Sequence, residues 1–225
     1  MGTDSMKETL ITFTRENRDK SRDGTKTQTR RTVKTRAENN TRVGPVGRQA
    51  HIDSTEATMH CPYGKPGDVL LMAEPYRILA CAGNPGWVFR VQFLDDDVVA
   101  YIDPTQKEYE TWIKRKHPFA AITSRFMYKS LARTRFVVES VRVERVQDIT
   151  DEDAIAEGIE WSESGPYHAH DTEHDGEIRV SHNYETARDA FRSLWDRINA
   201  KRGYGWDVNP WVWVVEYQKH LEATQ

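Results

Sequence analysis

The chain has 225 residues, 37% of them hydrophobic and 30% charged, with a formal net charge of −3. A chain of this length can bury a hydrophobic core as one domain, and it has no run approaching the roughly 18 apolar residues of a membrane span. The opening sequence MGTDSMKETL lacks the apolar stretch of a signal peptide. We therefore expect a cytoplasmic protein, and the slight acidity argues against a dedicated polynucleotide binder.

The first half of the chain predicts short strands joined by polar loops. Apolar runs typical of strands occur at 10–14, 69–72, 87–93 and 98–102. We interpret the last three as a β meander. The polar stretch after the first run predicts a helix that Gly24 ends, and the turn-rich segment 37–60 predicts a loop.

The second half predicts longer elements. Helices are predicted at 105–116, 150–156 and 184–200, and strands at 135–146 and 210–217. The strand at 135–146 changes phase once, so we expect a bulge near Glu139 and Ser140. The final strand is apolar on both faces, which favours a central position. The polar segment 160–182 predicts an inserted loop or hairpin. Because strands and helices do not alternate, we predict an α+β fold or a partly open barrel.

One segment is strongly basic although the chain as a whole has a negative net charge. Residues 25–36 contain five basic side chains, no acid and five threonines; the basic residues are Lys26, Arg30, Arg31, Lys34 and Arg36. Such a segment suits contact with phosphate or a nucleotide. The alternative is a solvated loop, where most runs of charge are found.

Residues 24–31, with the sequence GTKTQTRR, resemble the G-x-K-x-x-T-x-R signature of ASCH domains. Gly24, Lys26, Thr29 and Arg31 occupy the motif positions. Blocks 61–74, 141–159 and 194–217 resemble a phage and prophage branch of that superfamily. The resemblance implies a single PUA-like domain over 1–225, a partly open β-barrel with flanking helices and with insertions near 78–125 and 160–182.

The resemblance also implies a function. In small ASCH amidohydrolases a Lys, a Thr and a Glu remove the acyl group from N4-acetylcytidine. By motif these are Lys26, Thr29 and Glu157, the last through the match of 153–158 to the family's helix. The implied reaction is metal-independent hydrolysis of N4-acylated cytidine or a related modified nucleobase, nucleoside or nucleotide. Because the superfamily is also associated with RNA, the alternatives are a non-catalytic module that binds RNA or single-stranded nucleic acid, and a ribonuclease.

The residue types permit this chemistry. A threonine hydroxyl is a weak nucleophile unless a base removes its proton. Lys26 can be that base if burial and the adjacent Arg30 and Arg31 lower its pKa. Glu157 would protonate the leaving amine or orient water. The alternative roles are a phosphate-binding lysine, a hydroxyl bonded to backbone and a surface helix carboxylate.

Further residues are candidates for substrate binding: Arg30, Arg31, Tyr63, Glu74 and Arg133. Arg31 could neutralise a phosphate or stabilise an oxyanion, and Tyr63 could stack on a base. Glu74 ends an apolar strand and is either a pocket acid or a salt-bridged residue at the barrel rim. Arg133 is expected at the mouth of the same pocket.

No metal or organic cofactor is predicted. Several residues have spacings usable for zinc: His168, His170, Asp171, His174 and Asp175. Their glycine-containing, acid-rich loop offers no framework that would orient ligands. Cys61 and Cys81 lack the C-x-x-C spacing of a zinc site and are too few for a disulfide scaffold.

Overall fold

The computed structural model describes residues 6–33, 60–82, 88–162, 165–169 and 182–220. Its main sheet contains β1 (Glu8–Thr12), β2 (Gln28–Thr32), β3 (Val69–Ala73), β7 (Arg135–Arg145) and β11 (Trp211–Lys219). The order is β1-β3-β7-β11-β2, with β1 and β3 parallel and the other neighbours antiparallel. Because β1 and β2 are edges, the sheet does not close into a barrel within these residues.

Two three-stranded sheets accompany the main one. The first is an antiparallel meander of β4 (Tyr76–Ala82), β5 (Val88–Phe93) and β6 (Val99–Ile102). The predicted meander was therefore wrong in one strand, since β3 joins the main sheet and β4 takes its place. The second comprises β8 (Glu160–Ser162), β9 (Gly165–Ala169) and β10 (His182–Tyr184). It begins as the hairpin expected near 160–182.

The helices of the described residues are α1 (Arg15–Asp23), α2 (Gln106–Ile113), α3 (Asp151–Ala156) and α4 (Ala187–Asn199). Each begins after a threonine whose hydroxyl accepts a backbone N–H from the first turn, which lowers the cost of the unpaired donors there. Gly24 ends α1 with φ 90°, as the sequence predicted. The α+β class is confirmed. None of the helices in the described ranges has the length and apolar content to cross a membrane.

Strand β11 lies between β7 and β2, the interior position predicted from its two apolar faces. On one face Val212 and Val214 pack with Phe191 of α4. On the other, Trp213 and Tyr217 belong to a separate core with β1 and β3. The first of these cores holds α4 against the sheet and so fixes one wall of the site described below.

The predicted bulge in β7 is confirmed. Glu216 pairs with Ser140 and the next residue, Tyr217, pairs with Val138, so Glu139 has no partner across the ladder. An extra residue of this kind bends a strand and increases its local twist. The bend allows eleven residues of β7 to follow β11 without leaving the sheet.

Candidate active site

A cavity of about 480 Å³ lies between β2, the end of α3 and one face of α4. Its volume is typical of a small-molecule site. Lys26, Thr29 and Glu157, the three residues predicted to be catalytic, all line it. They are 2%, 4% and 5% exposed, so all three side chains are buried.

Three backbone hydrogen bonds hold Lys26 and the next residue, Thr27, in place. The N–H of Lys26 donates to the carbonyl of Lys20 at the end of α1 (2.9 Å). The next N–H, of Thr27, donates to Ala156 at the end of α3, and the Thr27 carbonyl accepts from Tyr217 of β11, both at 2.9 Å. The segment between α1 and β2 is thereby joined to a helix and a strand far away in the sequence.

Glu157 caps the C-terminal end of α3 and points inward. Its Oε2 lies 2.6 Å from Nζ of Lys26, and its backbone carbonyl accepts a second hydrogen bond from that amine at 2.6 Å. Gly158 follows with φ 93°, and a Cβ on it would lie 3.1 Å from Cδ of Lys20 and 3.3 Å from Cβ of Lys26. Glycine is thus needed both for the turn and for the close approach of two lysines. The alternative reading of Glu157 as a surface carboxylate is wrong.

The surroundings of Lys26 lower its pKa. Burial is the main cause, because a charged amine loses its hydration there. The Glu157 carboxylate opposes this by attraction, whereas the charges of Arg31 and Lys20 lower the pKa further. A neutral amine, able to accept a proton, is therefore more accessible here than on an ordinary surface lysine.

Arg30 lines the cavity, but its guanidinium is committed to the protein. It is 5% exposed and donates to Glu144 of β7 and to Asp153 of α3, the latter at 2.7 Å. Its Nη1 also lies 3.5 Å from Oε1 of Glu157. Arg30 therefore ties α3 to the sheet and orients Glu157, a positioning role in place of the predicted substrate contact.

Arg31 and Tyr63 also line the cavity. The Arg31 guanidinium lies 5.2 Å from the ring centre of Phe13 and 5.9 Å from that of Tyr63. One of its terminal nitrogens donates to the Thr12 carbonyl at 2.6 Å, but the buried Nε has no hydrogen-bond partner within the described ranges. Leaving a buried donor unpaired costs about 1–3 kcal/mol. An acceptor atom on a bound ligand would relieve that cost.

Glu74 and Arg133 lie outside this cavity, which corrects their prediction as pocket residues. Glu74 is fully buried at the end of β3, and its carboxylate accepts from Arg133 (Nε, 2.9 Å) and from Arg22. Arg133 also binds Asp96 at 2.7 Å. This buried ionic cluster joins α1, β3 and the turn after β5, so the salt-bridged reading of Glu74 is the one the structure shows.

Sequence reasoning missed the wall supplied by α4. Phe191 and Trp195 belong to the core and also line the cavity. Asn199, and Arg202 just beyond the helix, line the cavity without belonging to that core. The predicted apolar stripe of α4 contained a usable signal. Asn199 lies four residues after Trp195, so a polar amide continues an apolar face. Arg125, from a short 3₁₀ helix at Ser124–Phe126, lines the same cavity and left no pattern in the sequence.

The structure describes only some of the residues that could bind a metal or react as thiols. Among the described residues no group of three His, Cys, Asp or Glu is placed to hold a metal ion. The candidate histidines His168, His170 and His174 lie where the structure describes no side chains. Cys61 and Cys81 are both free, and burial raises the pKa of the Cys61 thiol to about 11, which disfavours its reactive thiolate.

Comparison with protein-family models, with curated proteins and with solved structures gave no match. The chemistry of the cavity therefore carries the functional proposal. Its main elements are a buried amine–carboxyl pair, a neighbouring hydroxyl, an unpaired guanidinium nitrogen and aromatic walls.

Proposed function

We propose that this chain is a cytoplasmic, metal-independent amidohydrolase that removes the acyl group from an N4-acylated cytosine carried by a small nucleoside or nucleotide. One observation carries the proposal, the convergence of Lys26, Thr29 and Glu157 in one cavity of about 480 Å³. The resemblance of residues 24–31 to the ASCH signature supports it. The open five-stranded sheet with flanking helices supports a PUA-like fold as part of the same proposal.

The first half of the reaction forms an acyl-enzyme. Neutral Lys26 accepts the Thr29 hydroxyl proton as the threonine oxygen attacks the acyl carbonyl carbon. Nε of Arg31 is available to donate to the oxyanion that develops there. The proton passes along the 2.6 Å hydrogen bond from Lys26 to Glu157. The carbon–nitrogen bond then breaks, and the leaving N4 amine takes that proton.

The second half restores the enzyme with one water molecule. Lys26 accepts a proton from the water as its oxygen attacks the threonine ester. The ester bond breaks, the threonine oxygen recovers that proton from Lys26, and the carboxylic acid leaves. The sum is hydrolysis of one amide, and no metal or redox partner is consumed.

The walls of the cavity suit a planar base. Phe13 and Tyr63 lie on the β1 and β3 side, and Phe191 and Trp195 on the α4 side. Aromatic faces stack on nucleobases without demanding one particular sequence of donors and acceptors. Asn199 is buried at the same wall, and its amide is the group that we expect to bond a base edge.

We expect the purified protein to release cytidine and acetate from N4-acetylcytidine, with turnover unaffected by a metal chelator. Chromatographic separation of the two nucleosides measures the product directly. Thr29→Val keeps the branched shape on β2 but lacks the hydroxyl, so it should release no cytidine above background. Cleavage of RNA without deacylation would instead indicate a nuclease, and salt-dependent oligonucleotide binding without turnover would indicate a binding module.

The pH profile of kcat/KM reports on Lys26. The amine must be neutral to accept a proton, so activity should fall as the pH drops through its pKa, which burial places below the ordinary value of 10.5. In Glu157→Gln the carboxylate that raises the pKa of Lys26 is absent. The acidic limb of this variant should therefore move to lower pH even though its maximal rate is reduced. A limb that stays in place, or moves to higher pH, would contradict the assignment of Lys26 as the base.

A further inference from the structure

The lining of the cavity has more positive than negative charge. Five of the lining side chains are basic and one is acidic; the basic ones are Lys26, Arg30, Arg31, Arg125 and Arg202, and the acid is Glu157. Lys26 is paired with Glu157, and Arg30 with carboxylates of β7 and α3. Three arginines are left without a carboxylate among the residues that the structure describes.

Several arginines elsewhere are paired with carboxylates, whereas the half-buried Arg145 and Arg188 donate to backbone carbonyls. Arg18 pairs with Asp95 at 2.5 Å, and Arg133 with Glu74 at 2.6 Å. Even the exposed Arg192 has a carboxylate, Asp207, at 3.4 Å. The chain as a whole carries net charge −3, so a shortage of acids does not explain the unpaired arginines at the cavity.

Arg125 and Arg202 reach the cavity from separate segments. Arg125 lies in the 3₁₀ helix Ser124–Phe126, and Arg202 ends the 3₁₀ helix Ala200–Arg202 that follows α4. Both residues are exposed, whereas Lys26, Thr29 and Glu157 are buried. The two arginines therefore lie at the exposed rim of the cavity, whereas the three catalytic candidates lie in its buried part.

We infer that the substrate carries a phosphate group, which Arg125 and Arg202 bind at the rim while the acylated base occupies the buried part of the cavity. The identity of the base rests on the function proposed above. The planar guanidinium matches phosphate oxygens with paired hydrogen bonds and stays charged at every physiological pH. The phosphate can belong to a free nucleotide or to a single strand that presents one base, and the chemistry of contact is the same.

The test compares kcat/KM for N4-acetylcytidine, for its 5′-monophosphate and for a trinucleotide with N4-acetylcytidine at its centre. A charge-assisted hydrogen bond contributes about 1.5–3 kcal/mol, so the wild type should prefer a phosphorylated substrate by at least about tenfold. Preference for the monophosphate identifies a free nucleotide, and preference for the trinucleotide identifies a strand. Equal values for all three substrates would overturn the inference.

Arg125→Gln and Arg202→Gln should each reduce this preference about tenfold, because each removes one charged donor. Arg90→Gln is the matched control. Arg90 is an exposed arginine of β5 outside the cavity lining. Its replacement should leave the ratio of kcat/KM for the phosphorylated substrate to kcat/KM for N4-acetylcytidine as in the wild type. A preference that persists in both rim variants would overturn the role of the two arginines.

Calorimetric binding of cytidine and cytidine 5′-monophosphate separates this inference from the proposed function. If no acylated substrate is hydrolysed, the amidohydrolase proposal fails. The phosphate site still stands if cytidine 5′-monophosphate binds at least about tenfold tighter than cytidine and loses that advantage in Arg202→Gln. Equal binding of the two ligands, or binding of neither, overturns the phosphate site whatever the kinetics show.

Discussion

Replacing Lys26 by methionine is expected to reduce kcat/KM for N4-acetylcytidine by about 10³-fold, within the range that a general base supplies. Methionine retains an unbranched apolar side chain in a site that is 2% exposed, so packing is largely preserved. Glu157 keeps an electrostatic partner because Nη1 of Arg30 lies 3.5 Å from its carboxylate. The loss should therefore appear in turnover, measured as cytidine released under saturating and limiting substrate.

Lys20→Met is the matched control for this experiment. Lys20 is 8% exposed, and its amine donates to the Gly158 carbonyl at 2.6 Å, one residue beyond the carbonyl that accepts from Lys26. Its side chain is not part of the cavity lining. We expect this variant to keep activity within about tenfold of the wild type. Equal losses in the two variants would mean that Lys26 acts through packing at the end of α3 and not as a base.

Replacing Arg30 by methionine is expected to lower the free energy of unfolding by about 3–5 kcal/mol. The guanidinium is buried and serves carboxylates on two elements, Glu144 of β7 and Asp153 of α3. Without it, these two mostly buried carboxylates lie close together with reduced compensation from positive charge. Urea unfolding followed by circular dichroism measures the change.

Arg192→Met provides the comparison for the stability measurement. The Arg192–Asp207 pair is exposed, with side chains 50% and 88% accessible, so its loss should cost no more than about 1 kcal/mol. If Arg30→Met is no more destabilising than Arg192→Met, the ionic cluster around Arg30 does not hold α3 to the sheet. The positioning role assigned to Arg30 would then fail.

The elements that sequence patterns predicted well are those whose signals are local. The two apolar faces of β11 required an interior strand, and the phase change in β7 required an extra residue, at Glu139. Strand β4 was missed because its second half, Ala80–Ala82, consists of small residues with little β-propensity. Its place in the sheet depends on pairing with β5, a tertiary contact that no local pattern encodes.

In the site, too, local sequence signals predicted some features, whereas others depend on tertiary contacts. Lys26 and Glu157 are 131 positions apart, and nothing in periodicity or spacing brings them together. The motif resemblance suggested both, and the hydrogen bond between them follows from the packing of α3 against the start of β2. Glu74 was misplaced because a carboxylate at the end of an apolar strand looks the same in sequence whether it faces a ligand or, as here, two arginines.

The brevity of α3 has a consequence for how the catalytic groups keep their spacing. A helix of six residues does not persist alone in water. It is fastened from outside, by Arg142 on Asp153 and by the lysine amines on the carbonyls of Glu157 and Gly158. Lys26, the proposed base, thus helps to hold in place the helix end that carries Glu157, the proposed proton donor. The distance between the two groups is therefore set by their direct hydrogen bonds and not by the loops around the cavity.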